Sequence, residues 1–222
     1  MNNIVITVAR GFGSGGKKIA SQVAKDMRIH CYENRILTLA SQMSGVEEDV
    51  FREVNEKIRG KSFMKSLLNG LPKRKVPTPE NKEFVSDEHL FEIQKKIIED
   101  LADTESCVIV GKCADWILKD RPNVISIYIE APRPYCRKRI MERMQVDAAT
   151  ADRSISQTDK YRAAYYAHYT GGNYWTNPVN YDMTLNSERA GIENCVKTIE
   201  EYIRIKYPDF RITDQENENK EP

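Results

Sequence analysis

Apolar residues near the start of the chain follow two rhythms. Ile4, Val5, Ile6, Val8 and Ala9 form a nearly continuous run, as in a strand buried on both faces. Ile19, Ala20, Val23, Ala24 and Met27 then recur at helical spacing. A glycine-rich turn from Gly11 to Gly16 separates them, so the chain opens as strand, glycine loop and helix. Ile29 to Tyr32 is a candidate second strand, and helical patterns follow over about 33–43 and 46–58.

Residues 60–86 break the rhythm. Gly60, Gly70, Pro72, Pro77 and Pro79 punctuate them, with the basic run Lys73-Arg74-Lys75. That composition predicts a long loop around one short helix. An amphipathic helix is expected near 87–102, from Leu90, Phe91, Ile93, Ile97, Ile98 and Leu101. Cys107–Val110 reads as a short buried strand ending at Gly111, and Val124–Ile129 as another. Ala114, Trp116, Ile117 and Leu118 suggest a short helix between them. Pro132 opens a basic helix to about Met144, since proline suits a first turn. A second helix spans about 148–169. Val179–Leu185 is the last expected strand, Ile192–Ile205 the last helix, and a polar tail begins at Thr213. Strands alternating with helices predict an α/β fold with a parallel sheet covered on both faces.

Bulk composition changes this picture little. The chain has 222 residues, 40% of them hydrophobic and 30% charged, with a net charge of +1. That is an ordinary globular balance, and no strong field favours nucleic acid or an anionic membrane. No stretch approaches the roughly 18–20 apolar residues of a membrane helix. Met1–Ala9 lacks a basic region and a cleavage site, so it reads as a strand and not as a signal peptide. The five cysteines are scattered and form no CxxC, which argues against a disulfide framework or a zinc site and fits a cytoplasmic protein.

The chemistry enters with Gly11-Phe12-Gly13-Ser14-Gly15-Gly16-Lys17, which fits G-x-x-x-x-G-K between a buried strand and a helix. Glycines let backbone N–H groups curl around phosphate oxygens, and the helix start adds partial positive charge. A lysine then supplies a point charge to the terminal phosphates. Four glycines in six positions exceed what a plain turn needs. Gly11, Gly13 and Gly16 also satisfy G-x-G-x-x-G, and Glu33 lies near the distance of a ribose-binding acid. The lysine straight after the last glycine favours the phosphate loop. Such a loop normally offers a Ser or Thr hydroxyl to Mg²⁺ after the lysine, but Lys18 and Ile19 follow here. A metal would then be held through water, by Ser14, or by a carboxylate elsewhere. Pattern does not decide whether Lys17 or Lys18 faces the phosphates.

Beyond this loop the chain resembles the cytidylate kinase-like family over about residues 3–205. Three segments carry the resemblance: GFGSGGKKIA at 11–20, VIVGKCADWILKDRPNVISIYIEAP at 108–132, and DKYRAAYYAHYTGGNYW at 159–175 with NYDMTLNSE at 180–188. The resemblance implies a three-layer P-loop fold in one domain over 1–212, with an acceptor-side insertion near 33–100 and a helical lid near 146–176. It implies transfer of the ATP γ-phosphoryl group, with Mg²⁺, to a nucleoside monophosphate, CMP or dCMP by default. The family's Asp-Gly-Arg-Asp run appears here as Val110-Gly111-Lys112-Cys113. Its Arg-Asp-x-x-Asp-x-x-Arg lid appears as Asp159-x-x-Arg162, with Ile155 where the first arginine is expected and Arg153 nearby. The departures fall on groups that would hold the acceptor.

The candidate site follows. Gly11, Gly13, Ser14, Gly15, Gly16, Lys17 and Lys18 are the nucleotide-binding set. Lys17, Arg162 and Asp159 are the catalytic set, Arg162 touching phosphate and Asp159 orienting acceptor or cation; Tyr166 shares their helix face. Lys112, near the end of a buried strand, and Arg153 are acceptor contacts, and Asp115 is an acceptor contact or a metal carboxylate. On the basic helix 133–143, Arg137 or Arg139 could reach phosphate, and pattern does not choose. The bland readings are a solvated ion pair for Asp159 and Arg162, a solvated lysine at 112 and lid packing for the tyrosines. Two other functions keep the same loop: a kinase of another small molecule, and a non-catalytic nucleotide-binding protein.

Overall fold

The computed structural model describes residues 3–33, 36, 38–39 and 87–210. The patterns expected over 46–58 and 60–86, most of that over 33–43 and of the insertion, and the tail from 213 lie outside the described residues.

Five strands form one parallel sheet: β1 (Val5–Arg10), β2 (His30–Tyr32), β3 (Cys107–Val110), β4 (Val124–Glu130) and β5 (Met183–Asn186), in the order β2-β3-β1-β4-β5. The helices are α1 (Gly16–Asp26), α2 (Asp87–Thr104), α3 (Ala114–Ile117), α4 (Arg133–Met144), α5 (Ala148–Tyr169), α6 (Ser187–Ala190) and α7 (Ile192–Lys206).

Strand alternation sorts the core onto two faces. Ile4, Ile6, Val8, Ile125, Ile127 and Ile129 meet Ile19, Val23 and Ala24 of α1 and Cys195, Ile199 and Ile203 of α7. On the other face Val5, Cys107, Ile109 and Val124 meet Leu90, Ile97 and Ile98 of α2 and Ala114 of α3. Ala9 and Tyr128 meet Tyr165 and Tyr166 of α5. Fully burying an isoleucine contributes about 1.5–3 kcal/mol, so both layers are firmly attached.

Three local details depart from the sequence reading. Residues 178–180 form a 3-10 turn capped by Asn177, and β5 starts only at Met183, where it meets Ile127 of β4. Pro132 sits at the N-cap of α4, and Pro134 occupies its first turn. The short helix α6 was not expected; Asn186 caps it by accepting from Glu188 and Arg189 N–H groups. No helix among the described residues is long and apolar enough to cross a membrane.

Candidate active site

All five strands end on the same edge, and the loop after β1 lies there, between the ends of β3 and β4. Open parallel sheets bind ligands at this edge. Register places Val8 beside Val110 and Arg10 beside Ile129. The loop is pinned at its start, where Gly11 N–H donates to Ile129 O at 3.0 Å. Gly13 (φ 92°) and Gly15 (φ 89°) turn it through the left-handed region, which other residues enter only with strain. Gly15 is also the N-cap of α1 and offers no side-chain cap. The first-turn N–H groups of α1 have no intrahelical partner and carry the positive end of the helix dipole.

A cleft of about 810 Å³ opens over the loop. Gly11, Gly13, Gly15, Gly16, Lys17, Lys18 and Arg162 all line it, so most of the expected nucleotide-binding set converges there with two of the three catalytic candidates, Lys17 and Arg162. Asp159 is placed beside them by hydrogen bonding: its Oδ1 accepts from Phe12 N–H at 2.9 Å. Arg162 donates through Nη1 to Arg10 O at 2.7 Å and lies 3.4 Å from Asp159 Oδ1. Burial raises the Asp159 carboxyl above its ordinary range, while Arg162 and the Phe12 N–H oppose the shift. Helix α5 is therefore fixed to the loop by both residues.

Other expected contacts fall elsewhere. Arg137, with Arg133, is engaged by Asp152, and Arg153 donates to Thr150 Oγ1 at 2.9 Å. Neither lines the cleft. Arg139, one turn-face away on α4, does: its Nε donates to Gly13 O at 3.1 Å. Asp115 is buried, accepts from Tyr166 Oη at 2.7 Å, and lines a separate cavity of about 430 Å³ with Trp116 and Tyr181. Burial pushes its carboxyl up to about 6. Lys112 is half-buried at the end of β3, and burial with the charge of Arg10 lowers its ammonium to about 8.

Ser14 does not fit the metal role. Its hydroxyl is fully buried, donates to Gly11 O at 2.9 Å and lies 3.4 Å from Gly16 N–H, so it staples the loop from inside. The nearby carboxylates are already engaged, Glu33 by Lys17 and Arg10, Asp159 by Phe12 and Arg162. Among the described residues no group of three His, Cys, Asp or Glu could hold a metal ion.

Four residues of the site were not assigned to it from sequence. Arg10, the last residue of β1, lines the cleft and pairs with Glu33 at 3.3 Å. Glu33, noted only as a possible ribose acid, also pairs with Lys17, whose side chain is otherwise 63% exposed. Ser187, the first residue of α6, donates to Ser14 O, and Glu130 lies against Gly11, where an added Cβ would meet its Oε1 at 2.3 Å. Position at a strand end was the available signal for Arg10, Glu33 and Glu130. Ser187 acts through the fold and had none.

A parallel five-stranded sheet of this order, with a glycine loop between β1 and α1 and a lysine in the first turn of α1, defines a P-loop kinase fold. The shikimate kinase from Bacteroides thetaiotaomicron shares it at a TM-score of 0.50 and 10% identity, over 90% of this chain and 98% of that one. TT1252 from Thermus thermophilus does so at 0.50 and 12%, over 91% and 99%. Within that fold the chain belongs to the cytidylate kinase-like family, whose family model matches residues 5–189. An uncharacterized protein from Eubacterium ventriosum ATCC 27560 is similar at 27% identity and a TM-score of 0.66, over 90% of this chain and 98% of that one. No curated protein matches the sequence.

Proposed function

We propose that the protein transfers the γ-phosphoryl group of ATP to a small-molecule acceptor, with CMP or dCMP the first acceptors to test. The observation that carries the reading is the convergence of the glycine loop, Lys17, Arg139 and Arg162 on one cleft with α5 hydrogen-bonded to the loop. The loop N–H groups and Lys17 would hold the phosphates, and Arg162 would neutralise charge on the phosphoryl group in flight. The bond from γ-phosphorus to the bridging oxygen breaks, a bond to an acceptor oxygen forms, and ADP leaves. An acceptor phosphate is already anionic, so no general base is required. Residues 146–176 would act as the lid within a single domain of 1–212. Mg²⁺ belongs to this reading through the nucleotide, and no step is assigned to it because the described side chains offer it no ligand set.

A kinase for a different small acceptor is the second reading. Arg153 is turned to Thr150, and Ile155 is buried where the family resemblance places an arginine, so an acceptor contact of the cytidylate type is missing from α5. Coupled ADP release, measured across nucleoside monophosphates, sugars and small alcohols, separates the two. Turnover lost in Lys17→Ala and highest with CMP or dCMP supports the first reading. A sugar or alcohol as best substrate supports the second. Absence of turnover with every acceptor, despite ATP binding, leaves a non-catalytic nucleotide-binding protein.

A further inference from the structure

Six lysine and arginine residues line the cleft over the nucleotide loop, against two glutamates, Glu33 and Glu142. Glu33 is engaged by Arg10 and Lys17, and Arg162 lies 3.4 Å from Asp159. Arg143, in the last turn of α4, is exposed, and among the described residues its guanidinium has no ion-pair or hydrogen-bond partner. It lies instead over the ring of Phe12, 5.1 Å from the centroid. Arg162, from α5, lies over the same ring at 5.7 Å. Both distances fall within the roughly 6 Å at which a ring face attracts a cation. One aromatic side chain of the loop thus gathers a cation from each of two helices, and all three residues line the cleft.

The loop backbone makes no demand for an aromatic residue at this place. Phe12 is an unspecified position of G-x-x-x-x-G-K, and unlike Gly13 and Gly15 it does not hold left-handed backbone. Its ring is half-buried against the cluster of Ile140 and Ile155, a contact that an aliphatic side chain would also fill. What an aliphatic side chain lacks is the electron-rich face. A carboxylate in the same place would fix the arginines too, but it would cancel their charge and occupy their donors. A ring face holds a guanidinium and leaves its charge and its N–H groups for an incoming phosphate. It also offsets part of the repulsion between two like charges gathered at one point.

We infer that Phe12 is a positioning residue: its ring holds the guanidiniums of Arg143 and Arg162 over the phosphate loop, with their charge intact for the phosphoryl group in transfer. The inference rests on the phosphotransferase reading and goes beyond it by assigning Arg143 to that charge and by naming the side chain that places both arginines.

The test varies residue 12 in the full chain. Phe12→Leu keeps an apolar side chain and removes the ring. A ring-trifluorinated phenylalanine at position 12 keeps the shape, while fluorine draws electron density off the face. Phe12→Trp keeps a face with a stronger pull on cations. All three retain the main-chain N–H that bonds Asp159. Turnover is read with the best acceptor from the ADP-release survey. In Phe12→Leu kcat should fall about 3–30-fold, with a smaller change in KM for ATP. The fluorinated ring should lower kcat in the same way, and Phe12→Trp should recover most of what Phe12→Leu loses. In a chain that carries Arg143→Met and Arg162→Met, Phe12→Leu should change kcat by less than about 2-fold. Nuclear magnetic resonance of the side-chain Nε–H groups of Arg143 and Arg162, assigned by lysine replacement, reads the geometry directly. Both signals should move in Phe12→Leu, because the ring current no longer acts on them.

If Phe12→Leu does not fold, the fluorinated ring and Phe12→Trp carry the comparison. If neither Nε–H signal moves when the ring is lost, the ring does not hold the arginines and the inference is wrong. If Phe12→Leu loses turnover and the fluorinated ring does not, the side chain only packs, and the inference is wrong. If the loss is undiminished without the two arginines, Phe12 acts by another route and the inference is wrong. In each of these cases wild type still transfers phosphate, so the phosphotransferase reading stands. If wild type turns over no acceptor, that reading falls, and the role of Phe12 falls with it.

Discussion

Phe12 donates its main-chain N–H to the carboxylate of Asp159 at 2.9 Å, across 147 residues of sequence. One end of this bond is the second residue of the glycine loop and the other is the middle of α5. Arg162 completes the join by donating to Arg10 O at 2.7 Å. The loop that would hold phosphate and the helix that would close over it are therefore one mechanical unit.

Asp159→Ala removes the acceptor and leaves a partly buried N–H unpaired, which costs about 1–3 kcal/mol. The Phe12 amide should exchange with solvent faster, and ATP affinity should fall. Asp159→Asn keeps an acceptor oxygen without the charge and should be milder on both counts. Amide exchange followed residue by residue checks this. Unchanged exchange at Phe12 in the alanine variant would show that the bond does not order the loop.

Asp115 should leave a signature in stability against pH. Burial raises its carboxyl from 3.8 to about 6, and its bond from Tyr166 only partly opposes that. The folded protein thus holds this proton more tightly than the unfolded chain does. The resulting stability is fully present below about pH 3.8 and is lost as pH rises through about 6. The size is on the order of 2–3 kcal/mol. Asp115→Asn cannot ionise and still accepts from Tyr166. Its unfolding free energy relative to wild type should therefore rise between pH 4 and pH 7, as read by urea denaturation. A flat difference would show that Asp115 does not titrate in that window.

Much of this architecture was legible in the sequence because it depends on local pattern. The β1–loop–α1 unit was readable from its apolar run, its glycines and its lysine. Helix α5 was placed over the residues it occupies. The pairing of side chains on the basic helix was not readable. Arg137 and Arg139 are two apart on α4, but only Arg139 reaches Gly13 O; Asp152 of α5 holds Arg137, and that contact depends on how two helices cross. Ser14 misled for a related reason. A hydroxyl in a phosphate loop can face the ligand or the loop interior, and only the turn geometry turns it toward Gly11 O. Val179 has good strand character, but it lies in the 3-10 turn that Asn177 caps, and the chain joins β4 only from Asp182, whose N–H donates to Ser126 O at 2.8 Å.

Lys112 should govern the alkaline limb of the acceptor reaction. Burial and the charge of Arg10 lower its ammonium to about 8, with Glu33 and Cys113 acting the other way. The ammonium is charged below that pH and neutral above it. Acceptor kcat/KM should therefore fall above about pH 8, approaching tenfold per unit. Lys112→Arg stays charged and should flatten the limb. A bound anion favours the charged form, so the limb in kcat should lie at higher pH than the limb in kcat/KM. Coincident limbs, or a limb unchanged in Lys112→Arg, would assign the titration to another group.

Tyr165 lies buried with a hydroxyl that has no hydrogen-bond partner among the described residues, and its ring stands edge-on to Phe91 at 6.2 Å. Deleting an orphaned polar atom removes a desolvation penalty of about 1–3 kcal/mol and keeps the ring contacts. Tyr165→Phe should unfold at the same temperature as wild type or higher. A clear drop would reveal a partner for the hydroxyl in solution.

Arg162 has two roles to separate. It anchors α5 through Arg10 O, and it lines the cleft where the phosphoryl group would pass. A cation placed for charge in the transition state lowers the barrier without tightening substrate binding equally. Arg162→Ala should then lower kcat by about 10²–10³, roughly 2.7–4 kcal/mol, with a smaller change in KM. Arg162→Lys keeps the charge, loses the fork and should recover only part. Anchoring alone makes a different forecast: Asp159→Ala breaks the same join, so it should cost as much as Arg162→Ala, and the double variant should cost no more than either. Charge stabilisation instead leaves Arg162→Ala well below Asp159→Ala in kcat, with the double variant lower still. A change confined to KM would make Arg162 a uniform binding contact. No change in either constant would reduce it to an ion pair with Asp159, and the phosphoryl charge would then fall to Arg139, which already lies beside Gly13.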